Sequence, residues 1–425
     1  MKTNKLTKWA ALLAVIGGLA ALPLTVSAAL KYVDSGTVIE SGSVYAAVSG
    51  TSALTVTGSG VAYNGTALQL SSSFTDMHGA RVADQAALTL VSSTISTNGV
   101  RSNALSIGVS SVATLNGLHI TVMGINSIGV LAREASLVTI DNSVINTSGS
   151  GNDYGLIAKS TSRIIATKVV INSSGTRSLS VVADTGGYVE VNDSEIHATG
   201  LVKDAALVPY NGGFITLNNT TVDSITRVLT ASGNSSVIIN NSVLEATGTC
   251  EALAVSDSDL TVSGGTVSAN GNNSLIITGT SISNVTLNDV VFVNADDIVT
   301  NGTFSGTARL TIGGAITSNI TSSGSGTLAV NVDSGTLTGD ITAVGAAAVV
   351  VNLDNGAVFN GLVSPEIPLS VINNSTWNLA VNATVNDLNV ANGGKVVFQT
   401  AGGYKTLTVG NLTGNNGEFH MNTDI

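Results

Sequence analysis

The sequence predicts an all-β fold, a right-handed parallel β-helix that follows an N-terminal export signal. Three observations carry this reading. Short runs of Val, Ile, Leu and Thr bounded by Gly, Asn, Asp and Ser recur throughout, which is strand-and-turn composition. One six-residue window returns nine times at nearly constant spacing. Helical periodicity is scarce beyond the first 28 residues. Of 425 residues, 47 are glycine and 4 proline, 43% are hydrophobic and 10% charged, against roughly 25% charged in an ordinary soluble domain. Such a chain is too apolar to be disordered. With 16 basic and 27 acidic residues and a net charge of −11, it lacks the basic footprint of a nucleic-acid binder, and nucleic acid is not an expected partner.

The first element is the leader. Lys2, Lys5 and Lys8 form a positive region, Trp9 to Leu22 an apolar core, and Val26-Ser27-Ala28 a small-residue site, so cleavage is expected between Ala28 and Ala29. The apolar run is short and lacks a positive stop-transfer cluster, which argues against a membrane anchor. Removal of residues 1–28, which hold three lysines and no acid, takes the formal charge from −11 to −14. No later segment is long and apolar enough for a spanning helix.

Residues 29–87 keep the composition with a looser register and are expected to form N-terminal capping turns. Residues 88–300 form the regular core. The window reads LVSSTI at 90–95, LNGLHI at 115–120, IDNSVI at 140–145, ATKVVI at 166–171, VNDSEI at 191–196, LNNTTV at 217–222, INNSVL at 239–244, VSGGTV at 262–267 and LNDVVF at 287–292. The steps are 22 to 26 residues. The first and last columns, Leu90 to Leu287 and Ile95 to Phe292, are apolar throughout and must face inward. The second column holds Asn116, Asp141, Asn192, Asn218, Asn240 and Asn288. These residue types tolerate left-handed backbone angles and bond their own turn, and stacked amides can form a ladder.

Two further apolar clusters per repeat, such as Leu105 with Ile107 after a window and Val189 before the next, make three strands per turn. The leucine-rich repeat has a similar period, but its Leu-x-x-Leu-x-Leu pattern and helical half are missing. On the order of 15 turns at ~4.8 Å spacing give a rod roughly 70 Å long. Residues 301–425 continue the β-helix in shorter, Gly-richer turns.

Residues that carry chemistry are sparse. Cys250 is the only cysteine, so no internal disulfide forms, and it is expected to be a small half-buried filler. His78, His119, His197 and His420 have no metal-ligand spacing, and His119 falls in an exposed column beside Thr94, Val144, Glu195 and Thr221. Asp296-Asp297 and Asn422-Thr423-Asp424 superficially resemble polygalacturonase motifs, but the order is reversed and the Gly-His-Gly and Arg-x-Lys partners are missing. Asp257-Ser258-Asp259 is a weak calcium pattern without a further oxygen cluster. No nucleophile elbow occurs. No catalytic residue, metal or cofactor is expected.

The C-terminal segments are the most specific. VVVNLDNGAVFNGLV at 349–363, INNSTWNLAVNATVNDLNVANGGKVVF at 372–398 and YKTLTVGNLTGNNGEFHMNTDI at 404–425 resemble the end of the pertactin-like passenger domain of Gram-negative autotransporters. The family's Gly-Ala-x-Phe-x-Gly turn matches Gly356 to Gly361, its Ser-x-Trp matches Ser375 and Trp377, and its Gly-Gly-x-Val-x-Phe strand matches Gly393 to Phe398. Leu407 to Phe419 match its last motif. The resemblance implies a monomeric passenger that threads through an outer-membrane β-barrel translocator and folds outside as an adhesin or biofilm factor, meeting surface glycans or proteins. The sequence stops at Ile425 inside the motif, without a barrel, so the expectation is a fragment or split reading frame. A chain without its translocator would remain in the periplasm. The alternatives are a β-helix polysaccharide lyase or hydrolase, which would need an acidic and basic cluster fed by long turn insertions, and a periplasmic remnant without function.

Overall fold

The computed structural model describes residues 30–200, 205–271, 273–293, 297–300 and 303–421. The leader with Ala28 and Ala29, Asp296 and residues 422–425 lie outside them. Among the described residues every regular element is a strand, 48 in all. Each core turn contributes three: Leu105–Ile107, Val112–Asn116 and His119–Val122 make one turn, and Ile128–Ala132, Leu137–Asp141 and Val144–Thr147 make the next. Each strand pairs in parallel with its equivalents one turn away, so Leu115 lies between Leu90 and Ile140. The result is a right-handed parallel β-helix.

Three faces run along the axis. The first sheet has 14 strands, from Lys31–Val33 to Ile341–Val344, and the second has 17, from Thr37–Ser41 to Leu407–Thr413. The third face is split into 11 strands ending at Val291–Val293 and 6 strands running from Ala315–Thr317 to Glu418–His420. At the inter-strand spacing the second sheet extends about 75 Å. Beyond residue 344 the first sheet stops, and turns shrink from 25 residues (Val112 to Leu137) to 18 (Val351 to Leu369).

The corner between the second and third sheets explains the window. At all nine windows its third residue, Ser92, Gly117, Asn142, Lys168, Asp193, Asn219, Asn241, Gly264 and Asp289, is left-handed, with φ between 46° and 68°. This corrects the expectation for the second column: Asn116 to Asn288 end strands in extended backbone, and the left-handed residue is the next one. The fourth residue turns inward, and where it is Ser it satisfies a buried amide of the preceding turn. Ser143 Oγ accepts Leu118 N–H at 3.0 Å and donates to Asp141 O at 2.7 Å, and Ser194 does the same with Val169 N–H and Asn192 O.

The first and last columns form the core, with Leu90, Ile120, Ile145, Leu217 and Ile239 all at 1% exposure or less. The exception is Phe292, which is only partly buried. Residues 30–87 carry the same register as the core, with Thr37 opposite Ala62 and Ala62 opposite Ala87. Their first turn is polar inside: Glu40 accepts hydrogen bonds from Lys31 Nζ, Tyr45 OH and, at 2.9 Å, Tyr63 OH. At the other end, Phe359, Trp377, Val396 and Phe419 of the C-terminal motifs continue one inward column from Leu337. Trp377 is fully buried and its indole N–H donates to Gly361 O at 2.9 Å. A Cβ on Gly361 would meet Gly339 O at 2.0 Å, so only glycine fits.

Candidate functional site

The outward side chains form ladders, because a parallel register places equivalent positions side by side on successive turns. In the second column Asn218 donates to Asn192 Oδ1 at 2.7 Å and Asn240 donates to Asn218 Oδ1 at 2.8 Å. The run is interrupted elsewhere. Asn116 is exposed, Asp141 accepts from its neighbour Asn142 while its Oδ1 stays buried without a partner, and Asn288 reaches Ser263 Oγ at 3.2 Å. The ladder is a structural device of three turns rather than a site.

Charged clusters on the second and third sheets are satisfied within themselves. Arg163 lies 4.7 Å from the Tyr188 ring centroid and 2.8 Å from Glu190. His197 Nδ1 is 2.5 Å from Asp223, with Glu195 at 3.5 Å from Nε2. Burial disfavours the charged ring, but the two carboxylates outweigh it and raise the His197 pKa. His119 is exposed in the column with Thr94 and Val144. Asp257 caps the next turn through Thr280 and Ser281 N–H, and Asp259 accepts from Asn284. Cys250 is half-buried.

A different arrangement stands on the outer face of the first sheet near its N-terminal end. Tyr32, Thr55, Arg81 and Ser106 follow one another in register. Over this column lies a 330 Å³ cleft lined by Tyr32, Thr55, Asp76, His78, Arg81 and Arg133 among others. Asp76 is occupied: Arg101 holds it through two hydrogen bonds of 2.7 and 2.8 Å and keeps its carboxyl below the usual range. Arg81 makes no ion pair among the described residues. Arg133 Nε is buried without a hydrogen-bond partner, 4.0 Å from Glu134. The cleft therefore has surplus positive charge in an acidic chain.

His78 supplies a fixed donor. Its Nδ1 accepts Asn103 N–H at 3.2 Å, so the neutral ring carries its proton on Nε2. Burial, then the positive charges of Arg133 and Arg81, lower its pKa to about 4. The ring is neutral at physiological pH, and with Nδ1 engaged it donates rather than accepts in the cleft. That suits holding an anion better than abstracting a proton. A larger depression of 530 Å³ lies near Asp340, Asn360 and Asn378, but these groups pair locally: Asn378 donates to Asn360 at 2.8 Å and Asp340 accepts Leu362 N–H at 2.9 Å.

Sequence reasoning considered His78 only as a metal ligand and missed Tyr32, Arg81 and Arg133. The repeat held part of the signal: Tyr32 and Arg81 are in register two turns apart, whereas Arg133 lies two residues beyond Leu131, the in-register equivalent of Arg81. No family model and no curated protein sequence matches the chain. Among solved structures, an arginine-to-alanine variant of the PL6 family alginate lyase AlyGC aligns over 92% of this chain and 96% of its own, at 9% identity and a TM-score of 0.21. The fold assignment rests on the strand pairing described above.

Proposed function

We propose that the chain is an exported surface passenger of the autotransporter type that acts by adhesion, presenting its outer faces to glycans or proteins. One observation carries this reading: among the described residues the core strands stack in parallel turn upon turn, and their exposed side chains form in-register arrays suited to repeated weak contacts. The C-terminal motif residues, stacked as an internal column, are consistent with the pertactin-like passenger resemblance. In this reading the leader directs export and a β-barrel translocator is the partner for surface display.

The test is to display the chain on cells behind an outer-membrane barrel and measure attachment to glycan-coated and matrix-coated surfaces. Attachment above barrel-only cells, competed by purified chain, is the expected result; attachment equal to barrel-only cells on every surface would sink the reading. Polysaccharide cleavage is the alternative, and the cleft with Tyr32, His78, Arg81 and Arg133 is where it would be sought. It predicts new reducing ends or unsaturated products from acidic polysaccharides, whereas the adhesion reading predicts neither.

A further inference from the structure

We propose that the cleft on the first sheet binds the carboxylate of an acidic sugar unit within a glycan. Arg81 and Arg133 are the charge partners, and His78 Nε2–H and Tyr32 are positioning contacts. The inference deepens the adhesion reading by naming a ligand class, and it rests on that reading for its biological setting alone.

Two arginines line the cleft. Arg81 has no ion pair among the described residues, and the Arg133 side chain is 43% exposed, with Glu134 4.0 Å from its Nε. A ligand carboxylate in the cleft would give Arg81 a charge partner and Arg133 a second one beside Glu134. A guanidinium fork matches a carboxylate in a planar, two-bond geometry. The fixed tautomer of His78 adds a neutral donor whose state does not change between pH 5 and 8.

The cavity also selects the size and charge of its occupant. At 330 Å³ it is at the lower end of small-molecule sites, and a bare inorganic anion would fill only a fraction of it. Thr51, Ser52 and Thr55 line the remainder with hydroxyls, and the 55% exposed Tyr32 offers an aromatic face to the C–H edge of a sugar ring. Asp76, itself paired with Arg101, lines the cleft, and Glu134 stands 4.0 Å from Arg133 Nε. They tolerate one ligand charge beside Arg81 and Arg133 but repel a densely charged polymer, which favours a carboxylated sugar over a heavily sulfated one.

The experiment is calorimetric titration of the purified chain with an oligogalacturonate, a neutral galactose oligomer of equal length, a heparin oligosaccharide and inorganic sulfate. The oligogalacturonate should bind, more weakly as salt increases, and Arg81→Gln and Arg133→Gln should each weaken it by about tenfold or more with an unchanged far-ultraviolet circular dichroism spectrum. Unchanged affinity in both folded variants, or equal binding of the neutral oligomer, would overturn the site. Sulfate binding as tight as the oligogalacturonate would overturn the sugar assignment, and tighter heparin binding the carboxylate assignment. Failure here and failure of the adhesion reading are distinguishable: displayed cells that attach equally with both Gln variants defeat the cleft and leave adhesion standing. Oligogalacturonate binding by purified chain without cell attachment does the reverse.

Discussion

At the residue scale, the solenoid is bought with unfavourable backbone angles at its corners. The corner between the first and second sheets places two successive residues left-handed, as at Val109 with Ser110, Glu134 with Ala135, and Ser160 with Thr161. A β-branched residue is poorly suited to that region, and Val109 sits there at φ 52° with its side chain 41% exposed. Val109→Asn should therefore stabilise the chain by about 1 kcal/mol, measured by urea unfolding, since Asn adopts the angle more readily and no core contact is lost. An unchanged or lower midpoint would mean that Val109 packs favourably in a way its exposure hides. His197 provides the pH-dependent counterpart. Its pKa is raised in the fold by Asp223 and Glu195 against the opposing effect of burial, so its contribution is fully present below the unfolded value near 6.5 and is lost as pH rises through the folded value. Thermal unfolding followed from pH 5 to 9 should show a decline beginning above about pH 6.5 that is absent in His197→Gln. A decline of the same size in the variant would assign it to other groups.

At the element scale, the amide ladder separates register from mere composition. Asn218 both donates to Asn192 and accepts from Asn240, whereas the exposed Asn116 makes no side-chain hydrogen bond among the described residues. Asn218→Ala should cost about 1 to 2 kcal/mol and Asn116→Ala close to nothing, read from denaturant midpoints at constant slope. Equal costs at the two positions would show that the ladder bonds contribute nothing net. These two asparagines also mark what the sequence could reveal. The inward columns, the three strands per turn and the shortening after residue 300 were all legible, because apolar periodicity is imposed by burial at every turn and a one-residue slip would expose it. The left-handed position was displaced by one residue, since Asn and Asp occupy both the second and third columns and their propensities do not say which one bends. The cleft was not legible as a cluster. Arg81 and Arg133 each look like isolated surface charges until the solenoid pitch sets them beside His78, and a hydrogen bond from Asn103 then fixes that ring's tautomer.

At the scale of the whole molecule, a solenoid must end without recruiting another copy of itself, because its terminal strands present unpaired edges and an exposed cross-section of core. The first turn answers this with an ion pair on its inner face. Lys31 and Glu40 point inward from the first and second sheets, pair at 2.5 Å, and are only 28% and 23% exposed, while Tyr45 and Tyr63 complete the carboxylate's hydrogen bonds. Burial, followed by the hydrogen bond to Glu40, holds the Tyr63 phenol protonated well above its ordinary range. A second solenoid docking on this end would have to desolvate the ion pair, at a cost its strand-edge hydrogen bonds do not readily offset. The polar plug is therefore expected to keep the end solvated and the chain monomeric. Lys31→Leu combined with Glu40→Leu removes both charges together, so neither is left unpaired, and it makes the inner face of the first turn apolar beside three strands, Lys31–Val33, Thr37–Ser41 and Val44–Ala46, that pair on one side only among the described residues. Light scattering behind size exclusion should then show mass rising with concentration for the double variant and constant monomer mass for the parent. Glu40→Gln, which keeps acceptors for the two tyrosines, should remain monomeric. A double variant that stays monomeric across the same concentrations would mean that the terminal turn resists pairing through its backbone geometry and not through its charge.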